Sequence, residues 1–129
     1  MLEVHMPADA LPKLTPEQAE MLVLSVLAEG PSYGYAISKS VAARSGGMFS
    51  MGPAKLYPML ARLEKQGLIS PSWEVVRAEG AGEGSTGRRR KWYTLSDRGR
   101  HRLGQHVAAH RRFTSLIDSF IAPREGLPA

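Results

Sequence analysis

Four consecutive basic residues, Arg88 to Lys91, are the part of this sequence best suited to bind a charged partner. The glycine-rich segment GAGEGSTG precedes them, and the aromatic pair WY follows them directly. Arginine and lysine neutralise phosphate groups, and arginine is attracted by the negative potential of a DNA minor groove. The run therefore predicts a contact with nucleic acid. The alternative is a solvated charge run that has no partner.

The charge of the chain is unevenly distributed. Nine of the 17 lysine and arginine residues lie between Arg88 and Arg112, where Asp97 is the one acidic residue. The first 87 residues carry seven basic residues against nine acidic ones, so the surplus behind the net charge of +5 is local. A local basic surplus is typical of a face that binds nucleic acid.

A second group of candidates lies in the segment AKLYPMLARLEKQGLI, residues 54–69. Leu56, Leu60 and Leu63 recur at helical spacing and predict a buried face, and Gly67 predicts the end of the helix. Its other faces carry the side chains that suit contacts with phosphates or base edges: Lys55, Tyr57, Arg62 and Lys65. The alternative is that these cations are solvated and that Tyr57 is half-buried packing.

Start and stop signals indicate the helices that must position these side chains. Thr15 is followed by a proline and, three residues on, by a glutamine, which predicts the first turn of a helix that Gly30-Pro31 ends. A second helix is expected at about 34–44 and a third at 54–66. Two segments rich in β-forming residues flank the glycine-rich segment, and together they predict a β-hairpin with a basic return strand.

Ser96 predicts the N-cap of a last helix over about 97–121. Its apolar residues alternate spacings of three and four, the pattern of a helix that packs along a partner helix. We therefore expect a homodimer whose interface contains Leu103, Val107, His110, Phe113, Leu116, Ile117 and Phe120. Packing of this stripe on its own domain is the alternative, although three short helices and a hairpin do not readily cover so long a stripe.

The expected fold class is mainly α (α+β): a winged helix-turn-helix with a two-stranded wing and a long C-terminal helix. The domain organisation that follows is an N-terminal arm at 1–14, a DNA-binding domain at 15–95, a dimerisation helix at 96–121 and a tail at 122–129.

Several classes of function are excluded by residues and motifs that the sequence lacks. Cysteine is absent, which excludes disulfides, thiolate metal sites and a cysteine nucleophile. His106 and His110 share a helix face, but no third metal ligand is indicated, so we predict no metal site. Neither a phosphate-binding loop nor a GxSxG motif occurs, so we predict no enzyme and no cofactor. The N-terminus resembles no signal peptide and no apolar run could span a membrane, which favours a cytoplasmic protein.

Three stretches, GPSYGYAISKSV, LYPMLARLEKQGLI and GRRRKWYTLSDRGRHRL, resemble the winged-helix domain of the PadR family of bacterial transcriptional regulators, over about residues 19–103. The resemblance implies a homodimer that binds an inverted-repeat operator on double-stranded DNA, usually as a repressor. The single helix after the domain resembles the short subclass of the family, in which that helix makes the dimer interface.

The resemblance also assigns roles to individual positions. The matching positions are Tyr35 in the GY motif, Leu56, Tyr57 and Pro58 at the start of the recognition helix, Leu63, Glu64 and Gly67 at its end, and Tyr93 and Leu95 in the second wing strand. The sequence departs from the family at Ala54 and Lys55, where glycine and a small hydroxyl residue are more common. This departure suggests that Lys55 gives the chain a base preference of its own.

Relatives in this family often respond to small aromatic compounds, which implies an effector pocket between the winged domain and the dimer helix. Trp73, Trp92 and Phe113 are the candidates to line it, and core or interface packing is their alternative role. No ligand is identified by the sequence.

The residues predicted to contact DNA are Tyr35, Lys39, Lys55, Tyr57, Arg62, Lys65, Arg88, Arg89, Arg90 and Lys91. The alternative function is a winged-helix module that docks another protein and lacks sequence-specific DNA binding. Such a module should expose a more apolar face than this basic one, so the sequence favours DNA.

Overall fold

The computed structural model describes residues 13–76 and 88–122, and in this part of the chain it contains four helices and a three-stranded sheet. The helices are α1 (Pro16–Ala28), α2 (Gly34–Arg44), α3 (Pro53–Lys65) and α4 (Asp97–Ile121). The strands are β1 (Ser32–Tyr33), β2 (Ile69–Val76) and β3 (Arg88–Leu95). The predicted winged helix-turn-helix with a long C-terminal helix is therefore confirmed.

Some of the sequence predictions fall on parts of the chain that lie outside the described residues. They are the N-terminal arm up to residue 12, the glycine-rich tip of the wing, the side chain of Arg88, and the tail from residue 123 onward.

Side-chain caps begin the first and last helices, as the sequence predicts. The Thr15 hydroxyl accepts a hydrogen bond from the Gln18 N–H at 3.1 Å, and the Gln18 side chain accepts one from the Thr15 N–H at 2.9 Å. The Ser96 hydroxyl accepts from the Gly99 N–H at 3.0 Å. Each cap satisfies backbone donors that have no partner within the helix, so both helices begin where these residues stand.

The core lies where α1, α2 and α3 pack together against the inner ends of β2 and β3. Leu56, Leu60 and Leu63 of α3 are buried, which confirms the predicted inner face of this helix. Their buried neighbours are Val23, Leu24 and Leu27 of α1, Ile37 and Val41 of α2, Leu68, Ile69, Tyr93 and Leu95. Burial of each large side chain contributes about 1.5–3 kcal/mol, so this cluster holds α3 in place.

The sheet has one strand more than the two-stranded wing that the sequence predicts. Strand β3 is central, and β1 and β2 pair with it on either side, both antiparallel. In the β1–β3 pair, Tyr33 lies opposite Trp92, and their rings meet edge to face with centroids 5.0 Å apart. A strand of two residues has no periodicity, so the contact that forms it could not be read from the local sequence.

Helix α4 joins the domain at a close contact in its first turn. Gly99 is buried there, and a Cβ atom added to it would lie 2.0 Å from the carbonyl oxygen of Leu68. Further along, α4 packs against α1, with Leu103 and Val107 half-buried. Every side chain from residue 108 to residue 122 is exposed. None of the helices in the described ranges is long and apolar enough to cross a membrane.

Candidate nucleic-acid interface

A cleft of about 500 Å³ separates the start of α2 from α3 and the basic strand β3. Its lining residues are Tyr33, Gly34, Tyr35, Tyr57, Arg89, Arg90, Lys91 and Tyr93. Phenol and guanidinium groups are the donors that bind phosphate oxygens in protein–DNA complexes. The fold therefore brings α2, α3 and the basic strand of the wing together at one basic and aromatic surface.

Gly34 determines where Tyr57 of α3 lies in this cleft. A Cβ atom at position 34 would lie 2.7 Å from the Tyr57 hydroxyl and 2.8 Å from its ring, closer than side chains can approach. The backbone of Gly34 is helical, so the glycine is needed for space rather than for an unusual dihedral angle. Tyr57 thus packs over the first turn of α2 with its exposed side facing the cleft.

The two arginines of the wing are held by aromatic rings. The Arg90 guanidinium carbon lies 4.2 Å from the centroid of the Tyr33 ring, and that of Arg89 lies 4.5 Å from the centroid of the Trp73 ring. Stacking uses the flat face of a guanidinium and leaves the N–H groups at its edge available for phosphate. Both arginines are therefore pre-oriented before any partner arrives.

Lys91 has an acidic partner on α3. Its ammonium lies 2.8 Å from a carboxylate oxygen of Glu64, and this carboxylate raises the pKa of Lys91. The ion pair joins the wing to the end of α3. Burial raises the pKa of the neighbouring Tyr93, so its phenol stays neutral and adds no negative charge to the cleft.

The remaining DNA-contact candidates lie outside the cleft. Lys39 is exposed on α2, one turn beyond Tyr35, and its ammonium is 5.4 Å from the centroid of that ring. Lys65 is exposed in the last turn of α3. Lys55 lies on the other side of α3, beside Lys13 in a separate groove.

Arg62 has a different setting from the other candidates. Its guanidinium donates to a carboxylate oxygen of Glu20, on α1, at 2.8 Å. Arg62 was predicted to contact DNA, but its side chain is directed toward α1 and does not line the cleft. This pair could not be predicted from local patterns, because the two residues are 42 positions apart.

Glu20 is a buried acid that was not among the predicted site residues. It is 4% exposed and lies among three basic side chains. Besides Arg62, Arg102 of α4 donates to it at 3.3 Å, and the imidazole Nε2 of His106 contacts the same oxygen as Arg102. His106 thus faces Glu20, while His110 is exposed, and no cluster of three metal-ligating side chains occurs among the residues described.

The environment of Glu20 shifts its pKa in two opposing directions. Burial acts to raise the pKa, but the hydrogen bonds and charges of His106 and Arg62 outweigh it, so the pKa lies below its ordinary value. A carboxyl group with a lowered folded-state pKa stabilises the protein above the pKa of the unfolded chain. That contribution is lost as the pH falls through the folded-state value.

We expect Glu20→Gln to lower the free energy of unfolding by about 2 kcal/mol near neutral pH, because it leaves Arg62 and Arg102 without a counter-charge. The difference between the two proteins should shrink as the pH falls from the ordinary pKa of a carboxyl group toward the lower folded-state pKa of Glu20, because the unfolded wild-type chain binds a proton at Glu20 before the folded chain does. Urea unfolding of both proteins from neutral pH to about pH 3 measures it. A difference that stays constant over this range would contradict the assignment.

The structure does not bring together the three aromatic residues predicted to line an effector pocket. Trp73 pairs with Lys91 and Trp92 pairs with Ser72, so the two tryptophans are neighbours in register but point to opposite faces of the sheet. Trp92 donates from its indole N–H to Glu74 at 2.6 Å. Phe113 lies on the exposed part of α4. A pocket built from all three is not formed within one chain.

The predicted dimer contacts divide into two groups along α4. Leu103 packs on the edge of the chain's own core, and Val107 is half-buried. The others, from His110 onward, are exposed, with Phe113 at 65% and Phe120 at 73%. The exposed apolar side chains of this region are Phe113, Leu116, Ile117, Phe120 and Ile121, of which Ile121 was not predicted.

Comparison with known proteins places this geometry in context. Residues 23–105 match the model of the transcriptional regulator PadR-like family. A transcriptional regulator from Clostridium thermocellum superposes with a TM-score of 0.66 at 28% identity, over 81% of this chain and 94% of that one. A PadR family transcriptional regulator from Eggerthella lenta has a TM-score of 0.59 at 32% identity, over 84% of this chain and 82% of that one.

A further relative shares a shorter region with this chain. An uncharacterized 37.1 kDa protein in transposon TN4556 of Streptomyces fradiae is 48% identical over 59 residues. The match covers 46% of this chain and 16% of the length of that protein.

Proposed function

Since this chain belongs to the PadR-like family of transcriptional regulators, we propose that it regulates transcription by binding an operator in double-stranded DNA as a homodimer. The cleft between α2, α3 and β3 carries this proposal. It gathers three exposed or half-exposed tyrosines and two ring-stacked arginines beside the helix that enters the major groove in a winged helix. A docking module for an apolar partner would not need this concentration of phosphate-binding groups.

The proposed arrangement assigns different contacts to the two parts of the site. Helix α3 lies in the major groove with Tyr57 and Lys65 toward the DNA, and Arg89 and Arg90 of the wing follow the neighbouring backbone or minor groove. Lys39 and Lys55 reach phosphates at the two edges. Lys91 acts through its ion pair with Glu64, which keeps the wing beside α3.

The exposed half of α4 supports the homodimer. An apolar stripe on a helix that projects from its domain is stabilised when a second helix covers it. Two chains joined in this way carry two copies of α3, which fits an inverted-repeat operator. We propose that the dimer represses transcription in the cytoplasm. We also propose that it responds to a small aromatic effector bound between the winged domain and α4.

The test of this function is binding to the DNA upstream of the protein's own gene, measured by fluorescence anisotropy at two salt concentrations with unrelated duplex as competitor. We expect tight binding that survives the competitor. Weak binding that disappears as salt is added would show a basic surface without sequence preference. Absence of binding even at low salt would favour the docking module.

We expect the double variant Arg89→Ala/Arg90→Ala to weaken operator binding and to make it less sensitive to salt. The slope of log affinity against log salt should become less negative by about 2, because each lost phosphate contact contributes about 0.9. Arg44→Ala is the matched control. It removes an arginine at the other end of α2, where it pairs with Glu29 at 3.1 Å. An unchanged slope in the double variant would exclude the wing arginines from the phosphate contacts.

A further inference from the structure

The carboxylate of Glu20 is the point at which three helices of this chain are joined. One of its oxygens accepts from Arg62 of α3 at 2.8 Å, and the other accepts from Arg102 of α4 at 3.3 Å and contacts His106. Glu20 itself lies on α1, and its side chain is 6% exposed. One carboxylate oxygen thus binds α3, and the other binds α4.

Helices α3 and α4 have few direct contacts with each other: α4 packs mainly against α1 and β3, and α3 packs against α2 and β2. The apolar core fixes each of them against α1 and the sheet, but apolar contacts are not directional. A carboxylate with a separate partner on each oxygen is directional, so it defines the relative orientation of the two helices. Buried ion pairs add little stability over an apolar replacement, and their best-attested contribution is to select one arrangement over others.

The orientation of α3 relative to α4 has a particular importance under the proposed function, on which this inference rests. In a dimer joined through α4, it sets the distance and the angle between the two copies of α3. Operators are read at two half-sites about one helical turn apart, and a shift of one base pair rotates one half-site by about 35° relative to the other. A small change in the orientation of α3 relative to α4 therefore changes the half-site spacing that the dimer fits.

We propose that Glu20 is a positioning residue that determines the half-site spacing the dimer accepts. The contact with Arg62 fixes the position of α3 relative to Glu20, and the contacts with Arg102 and His106 fix the position of α4. Glu20 lies inside the protein and touches no DNA, so its effect is on which operators are accepted rather than on contacts with any one base.

The experiment uses the full-length dimer and an operator first selected from random duplexes. A series of duplexes keeps both half-sites and changes the spacer by one or two base pairs in either direction. We expect wild-type affinity to fall about tenfold or more for each change of one base pair, since one half-site then turns out of register. In Glu20→Gln, affinity at the best spacing should fall and the loss at neighbouring spacings should shrink to about threefold or less.

A second variant keeps the inference testable if Glu20→Gln folds poorly. The double variant Arg102→Gln/His106→Leu removes both α4 partners of Glu20 and leaves the contact between Glu20 and Arg62, so it should relax the spacing preference in the same way. Arg44→Gln is the control, because it breaks the exposed ion pair with Glu29 between α2 and α1. This control should keep the wild-type preference. Circular dichroism and light scattering verify that each variant is folded and dimeric.

The outcomes separate this inference from the proposed function. Folded, dimeric Glu20→Gln and Arg102→Gln/His106→Leu that discriminate spacing as sharply as wild type would overturn the positioning role while operator binding stands. If selection yields no preferred duplex for the wild-type protein, the proposed function fails and the positioning role fails with it.

Discussion

Replacing Gly99 with alanine is expected to lower the free energy of unfolding by about 3 kcal/mol. The new Cβ atom would lie 2.0 Å from the Leu68 carbonyl oxygen and 2.6 Å from Cδ1 of Leu95. A leucine side chain can change rotamer, but the carbonyl oxygen belongs to the backbone and accepts a hydrogen bond from the Ser96 N–H at 3.1 Å. Helix α4 would therefore have to shift from the domain at the point where it begins.

Gly104→Ala provides the matched control for this prediction. It adds the same methyl group to the same helix, but nothing lies within 4 Å of the new atom. Because alanine is the better helix former, this control should gain up to about 1 kcal/mol. Urea unfolding of the three proteins at one chain concentration measures both effects. Equal stability of Gly99→Ala and wild type would show that the close contact at Leu68 does not exist.

The double variant Phe113→Ala/Phe120→Ala is expected to raise the dissociation constant of the homodimer about a thousandfold or more. These are the two most exposed aromatic side chains of α4, at 65% and 73%. Loss of a large aromatic side chain costs about 1 kcal/mol or more at an interface, and the dimer loses four of them because both chains carry both substitutions, so the losses amount to about 4 kcal/mol or more. Sedimentation equilibrium measures the dissociation constant.

Ser115→Ala is the control for the dimer variant, because Ser115 is exposed on the side of α4 opposite to the apolar stripe. It should dimerise as wild type does. Since both phenylalanines are exposed and outside the core of their own domain, circular dichroism of the double variant should remain that of the folded winged helix. A double variant that stays dimeric at micromolar concentration would place the dimer interface elsewhere.

Elements that depend on local signals were predictable from the sequence. The capping pair of Thr15 and Gln18, the N-cap at Ser96 and the leucine spacing in α3 act within a few residues of each other, and the helices begin and end as these signals indicate. Ile121 also carried a signal, because it follows Ile117 by one helical turn. It was missed only because the predicted stripe ended at Phe120.

Features that depend on partners distant in sequence could not be predicted in this way. Glu20 lies 42, 82 and 86 positions from its three basic partners, and nothing near it indicates them. The two tryptophans lie on opposite faces of the sheet because of the register of β2 and β3. A shift of one residue in that register would put both of them on the same face. The role of Gly34 became visible only when the ring of Tyr57 was placed beside it.

The exposed half of α4 has a consequence for how the amount of protein controls its target. When dimers form only through this helix and the chain concentration lies well below the dimer dissociation constant, the dimer concentration varies with the square of the chain concentration. Halving the amount of chain then reduces the operator-binding species about fourfold. Under the proposed function, a helix end without a partner in its own chain thus makes the regulatory response steeper than proportional, with no allosteric step required.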